Sequence, residues 1–153
     1  MKRIRLTTTV VMVVALLALS VSAALACPPP GTGTPGYWKN HPEAWPVEVI
    51  TIGGVVYSKE DAIHIMQNPV KGDKTYTMFD AFVAAKLNVL AGNPKYCIES
   101  TGPEANAWMY HHHVGSGVAG SSDAWKAGEP LYFILDQYNN GLLCAPSRDS
   151  LED

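Results

Sequence analysis

A sixteen-residue segment, Tyr76 to Ala91, constrains the fold of this chain most, because almost every side chain in it is apolar or small. Its large apolar side chains recur at the 3.6-residue spacing of an α-helix. They are Tyr76, Phe79, Phe82, Val83, Leu87 and Leu90. Alanines at positions 81, 84 and 85 lie between them and allow another element to approach closely. The pattern predicts a central helix, surrounded by other elements, that ends at Gly92.

A β-hairpin and a short helix are predicted before this central helix. β-Branched residues flank Gly53 and Gly54, as they do in a hairpin with a two-residue turn. Ser58 with Asp61 three residues later forms a capping box ahead of a short apolar run. The hairpin is therefore expected to lead directly into a helix.

Two further helices are predicted after the central one. The first begins at Pro103 and Glu104 and runs through Trp108, since proline suits the first position of a helix. The second runs from Pro130 to Asn140, with Gly141 as its end. The fold class is therefore mainly α: a small single-domain fold of about four helices with one short β-hairpin and one disulfide.

The first 26 residues have the pattern of a signal peptide. Basic residues precede an apolar run from Val10 to Leu19, and Ala24, Leu25 and Ala26 form a cleavage pattern. The remaining 127 residues suit one domain. We expect an extended leader over 27–36, a globular domain over 37–146 and a disordered tail over 147–153. The sequence therefore predicts a secreted or extracellular protein with no transmembrane helix in the mature chain.

The charge of the mature chain argues against some partners. Removal of Lys2, Arg3 and Arg5 leaves 8 basic residues against 14 acidic ones, a net charge of −6 with histidine neutral. Such a chain is not expected to bind nucleic acid or anionic membranes.

Three cysteines remain after cleavage, at Cys27, Cys97 and Cys144. Cys97 and Cys144 follow the ends of predicted elements, and a bridge between them would close a loop of about 47 residues, which would stabilise the fold by about 3 to 4 kcal/mol. Cys27 is then left over at the first mature position, where a bacterial lipoprotein carries its lipid. The alternatives for Cys27 are lipidation, which would anchor the protein at the cell surface and give its only membrane contact, and a free or intermolecular thiol.

The most unusual stretch is GTPGYWKNHPEAWP, Gly33 to Pro46, which we call the clasp segment. Its aromatic side chains could stack on sugars, but they could equally bring buried area to a small helical domain. We expect the second role, in which the segment closes the core. The candidate residues for either a ligand site or a core clasp are Tyr37, Trp38, Lys39, Asn40, His41 and Trp45.

The clasp segment, together with VAAKLNVLAGN, VGSGV and LDQYNNGLLCAP, resembles a group of secreted bacterial proteins, mostly of unassigned function, that share a GYWKNHPEAWP segment. The resemblance covers nearly the whole mature chain. It implies export, and Cys97 and Cys144 match the positions expected to pair. It implies no activity or ligand, and the three-histidine run departs from the pattern of the group.

Three functions remain open. We expect an exported non-catalytic surface or extracellular module, either interacting or structural, with a protein or glycan partner. We expect no cofactor and no catalytic residue, because the acidic residues, Asp80 and Asp136 among them, are scattered without a catalytic spacing and most of them suit the surface. The first alternative is a protein that binds or cleaves glycans through exposed Trp38, Trp45 and Trp108 with acidic neighbours. The second is an extracellular metal-binding protein that uses His111, His112 and His113, although adjacent histidines on a helix point about 100° apart.

Lys86 is the most informative single residue of the central helix. It lies seven positions after Phe79 and three after Val83, so its ammonium group falls on the apolar face. Such a charge must reach solvent along its own alkyl chain or meet an anion or several carbonyl groups. Asp136 on the last predicted helix is the expected carboxylate partner.

Overall fold

Five α-helices and one β-hairpin make up the part of the chain that this computed structural model describes, residues 29–151. The mainly α prediction is confirmed, with five helices where about four were expected. The predicted signal peptide and Cys27 lie outside the described residues. In chain order the elements are α1 (Pro35–Asn40), β1 (Val49–Ile52), β2 (Val55–Ser58), α2 (Lys59–Met66), α3 (Lys74–Leu90), α4 (Thr101–His111) and α5 (Asp123–Asn139).

Helix α3 is the central helix, as its apolar sequence predicts. The carboxylate of Asp73 caps its first turn by accepting a hydrogen bond from the Thr75 N–H at 3.0 Å. All three alanines of its small face are buried, and α4 and α5 both pack on the helix. Because α3 is covered on nearly all sides, the few polar residues on it need partners inside the protein.

The predicted hairpin is present, and it is antiparallel with Ile50 opposite Tyr57. Gly53 and Gly54 have φ angles of 56° and 80°, which only glycine adopts easily. A Cβ on Gly53 would also collide with the backbone of Met109 on α4 at 2.5 Å. The turn is therefore seated against α4, and Ile50 and Ile52 point into the core.

Helix α5 begins at Asp123, so the prediction that it begins at Pro130 is wrong. Ser122 caps the helix through a 3.1 Å hydrogen bond from the Trp125 N–H to its hydroxyl. Pro130 lies inside the helix, where it removes the bond to the carbonyl group of Lys126. Both residues are exposed, so water can satisfy that carbonyl group.

The prediction that order begins near Tyr37 is also wrong. Thr32 is buried, and its N–H donates to the carbonyl oxygen of Pro146 at 2.8 Å, while the Arg148 N–H donates to the carbonyl oxygen of Thr32 at 3.1 Å. These bonds form a parallel bridge between Thr32 and Ser147. The beginning of the expected tail is structured as well, since Arg148–Leu151 forms a 3-10 helix.

The Cys97–Cys144 disulfide is confirmed, with the two Cα atoms 5.7 Å apart. It joins the short 3-10 helix Tyr96–Ile98 to the segment that follows α5. A disulfide is typical of proteins that fold outside the reducing cytosol. Within residues 29–151 no helix is long and apolar enough to cross a membrane.

Candidate functional site

The aromatic residues of the clasp segment lie in the core. Trp38 and Trp45 are 1% and 6% exposed, and the indole N–H of Trp45 donates to the carbonyl oxygen of Trp38 at 2.8 Å. Tyr37 is half-buried and packs edge-on against Trp38, with the Arg148 guanidinium 4.0 Å from its ring. These rings contribute buried area and are not available to stack on a ligand.

A buried asparagine on α3 receives the clasp segment. The side-chain oxygen of Asn88 accepts hydrogen bonds from the Gly33 N–H at 2.7 Å and the Trp38 indole N–H at 3.0 Å. Its amide nitrogen donates to the Gly33 carbonyl oxygen and to the Asn139 side-chain oxygen, both at 2.9 Å. The Asn88 side-chain amide thus pairs with both the N–H and the carbonyl oxygen of Gly33, as the backbone of a neighbouring β-strand would. With four hydrogen bonds, both N–H donors and both acceptor positions of this amide are occupied. Sequence reasoning missed this residue, although it is polar within the same apolar helix as Lys86.

The polar residues of the clasp segment point elsewhere. Asn40 and His41 are exposed, and the His41 ring stacks on Tyr37 and contacts the Glu43 carboxylate at 2.9 Å. Lys39 is half-buried and approaches Asp80 on α3 closely enough to act on its charge. The six candidate residues therefore do not converge on one ligand site.

The glycan-stacking alternative loses its premise, because the tryptophan rings are not exposed. Trp108 and Trp125 are 7% and 2% exposed, and they pack edge to face with ring centroids 6.1 Å apart. The Trp108 indole N–H donates to the carbonyl oxygen of Ala124 at 2.9 Å. The predicted use of exposed tryptophans is therefore wrong.

The three histidines of the run pack on aromatic rings in the described part of the chain. His112 packs on the Trp108 ring, and His111 and His113 contact the exposed ring of Tyr110 at centroid distances of 5.3 and 6.3 Å. Among residues 29–151 no group of three or more His, Cys, Asp or Glu side chains is placed to hold a metal ion. The metal-binding alternative therefore finds no cluster of three ligands within the described residues.

The VGSGV loop has a structural role. The Asp73 carboxylate accepts hydrogen bonds from the Gly117 N–H at 2.9 Å and the Val118 N–H at 3.0 Å. Burial raises the pKa of Asp73, but the hydrogen bonds from the Thr75 N–H and hydroxyl, together with those from Gly117 and Val118, outweigh burial and hold that pKa below its ordinary value. One carboxylate therefore caps α3 and fastens the loop to it.

An apolar groove of about 300 Å³ lies between the second half of α3 and the start of α4. Its apolar lining consists of Phe82, Ala85, Val89, Leu90, Ile98 and Pro103. Lys86, Lys95 and Glu99 are the charged residues of the lining. An adjoining depression shares Phe82, Lys86 and Pro103 and extends the groove to Asn106. A concave apolar surface with a few polar groups is the usual form of a small-molecule site.

Lys86 does not meet Asp136, so that prediction is wrong. Its ammonium group donates to the carbonyl oxygen of Thr51 at 2.7 Å and lies 5.5 Å from the centre of the Phe82 ring. Asp136 lines a different cleft. Burial lowers the pKa of Lys86, because the charged ammonium loses water.

A second, more polar cleft of about 180 Å³ is lined by residues of α1, α3 and α5. Asp80 and Asp136 both line it, with Thr77 and Tyr132. One oxygen of Asp80, Oδ1, is buried and has no hydrogen-bond partner among the described residues. Burial raises the pKa of Asp80 to about 7, against the opposing effect of Lys39. Asp80 is therefore an exception to the expectation that most of the acidic residues serve surface solvation. The signal in the sequence that could have indicated a buried Asp80 is its position within the nearly all-apolar segment of α3.

Comparison with known proteins gives no match, whether against protein-family models, curated proteins or solved structures. The resemblance to secreted bacterial proteins that share the clasp segment therefore stays a prediction.

Proposed function

We propose that this protein is an exported, non-catalytic binding module whose ligand site is the groove between α3 and α4. The observation that carries the proposal is the groove itself, which combines an apolar lining with charged groups at a few positions. Leu90 in this lining is 50% exposed, which costs free energy unless a ligand covers it. The signal-peptide pattern and the Cys97–Cys144 disulfide support export.

The groove is a better ligand site than the clasp segment because its surfaces are still open. The clasp tryptophans are buried, and Asn88 beneath them has all four hydrogen bonds made within the chain. The disulfide-linked 3-10 helix borders the groove on one side, and Lys86 in its lining is fixed by a hydrogen bond to the hairpin carbonyl group of Thr51. A site on such braced elements changes little in shape when a ligand binds, which lowers the entropy cost of binding.

The test is a titration of the oxidised protein with 1-octanol, followed by two-dimensional NMR of the backbone amide groups. We expect the shifts to be confined to residues 82–90 and 98–106. Leu90→Glu should weaken binding about tenfold, because it places a charge on the apolar lining. Phe133→Glu is the matched control, since Phe133 is 55% exposed but lies on α5 outside the groove. Equal binding by both variants, or no saturable binding by the parent, would refute the proposal.

A second candidate function, carboxyl-assisted glycan cleavage, is favoured by one observation. Asp80, with its pKa raised by burial to about 7, shares a cleft with a second carboxyl group, that of Asp136, and a carboxyl group with a raised pKa can act as a general acid. The test is release of reducing sugar from a panel of polysaccharides by the parent and by Asp80→Asn. Activity that the substitution leaves unchanged, or no activity at all, would exclude this candidate.

A further inference from the structure

The positive charge of Lys86 in the apolar groove forms no ion pair within the described residues. Lys86 is half-buried, and no carboxylate oxygen among the described residues lies within 4.0 Å of its ammonium group. Its one hydrogen bond, to the carbonyl oxygen of Thr51, uses one of three N–H donors. A partly dehydrated ammonium with donors to spare beside an apolar surface is poised to receive an anion.

We infer that the natural ligand of the groove is an anionic amphiphile, a molecule with a short alkyl or aryl body and a carboxylate that Lys86 holds. The inference rests on the proposed function, because it names the ligand class for the same groove. The alkyl or aryl body would cover the apolar side chains of Val89 and Leu90, and the carboxylate would accept hydrogen bonds from Lys86.

Lys86 is better placed for this role than Lys95, which also lines the groove. Lys95 is exposed at the rim, where water weakens its attraction for an anion. Glu99 is exposed too, so its opposing charge is similarly weakened. Lys86 is held in place by Thr51 and lies beside the Phe82 ring, so it need not be ordered when the ligand arrives.

The experiment compares octanoate with 1-octanol, which have the same chain length and differ in charge. Their dissociation constants are measured at neutral pH by the same NMR titration, on the parent and on Lys86→Met. We expect octanoate to bind the parent about tenfold more tightly than 1-octanol, as a charge-assisted hydrogen bond allows. Lys86→Met should abolish that preference and keep the binding of 1-octanol, while Lys95→Met should keep the preference.

The outcomes separate this inference from the proposed function. Equal affinity of the parent for both molecules overturns the inference and leaves the proposed function standing, whereas failure of the parent to bind either molecule overturns both. If Lys86→Met does not fold, Lys86→Gln replaces it, because the amide can still donate to Thr51 without carrying charge. Survival of the octanoate preference in a folded Lys86 variant would refute the assignment to this residue.

Discussion

Replacing Asp80 with asparagine should remove a pH dependence that this carboxyl group gives to the stability of the fold. Burial raises its pKa from the ordinary value of 3.8 to about 7. Between these values the unfolded chain releases the proton while the folded protein keeps it, so the free energy of unfolding falls as the pH rises. The destabilisation is complete above about pH 7. Lys39 on α1 and Asp136 and Tyr132 on α5 are the other titratable groups that face this carboxyl group.

The size of the effect follows from the difference between the two pKa values. A difference of about three pH units, at 1.36 kcal/mol for each, gives an upper limit of about 4 kcal/mol. Asparagine carries no charge at any pH, so Asp80→Asn should match the parent near pH 4 and exceed its free energy of unfolding by up to about 4 kcal/mol at pH 8.

Urea unfolding at a series of pH values between about 4 and 8 measures this difference directly. Asp149→Asn, which removes an exposed carboxylate, is the control for the change in net charge. If the free energy of unfolding changes with pH in the same way for Asp80→Asn and the parent, Asp80 does not hold its proton in the folded state, and the raised pKa is refuted.

Three further predictions concern the stability of the packing. Asn88→Ala should lower the free energy of unfolding by about 3 kcal/mol in urea titrations, because it leaves a buried indole N–H and two backbone groups without partners. Deleting residues 29–33 should cost at least as much in the same assay, and unchanged stability would contradict the parallel bridge. Gly128→Ala should cost about 1 to 3 kcal/mol by thermal unfolding, since its Cβ would lie 2.7 Å from the Trp108 ring. Gly102→Ala, with open space around its Cβ, should be tolerated, and equal losses in both variants would refute the clash.

Elements defined by a continuous local pattern could be predicted from the sequence. Helix α3 carries its periodicity within one segment, and the Gly53-Gly54 pair specifies its turn by backbone conformation alone. The start of α5 could not be predicted in this way, because Gly128 and Pro130 both disfavour a helix locally. The packing of Trp108 against Gly128 outweighs that local preference, and such a contact between two helices is not visible in either segment.

The candidate sites depend still more on contacts between distant segments. The sequence places Lys86 on an apolar face, but its acceptor is a carbonyl group of β1, 35 residues earlier in the chain. The sequence leaves a carboxylate and backbone carbonyl groups open as partners of Lys86, but it cannot identify Thr51, because every residue has a backbone carbonyl group. Asn88 and Asn139 come together only because α3 and α5 pack side by side, although polar residues on buried helix faces are a pattern that can be sought.

The bridge between Thr32 and Ser147 makes the described part of the chain almost a closed circle. Two positions that are 115 residues apart in the sequence lie next to each other on the same side of the domain. A short linker could therefore connect residues 29 and 151, and the chain could be opened instead at the exposed loop near Pro69, between α2 and α3. Such a circularly permuted protein would keep the groove, and the original domain could be inserted as a single unit into a surface loop of another protein.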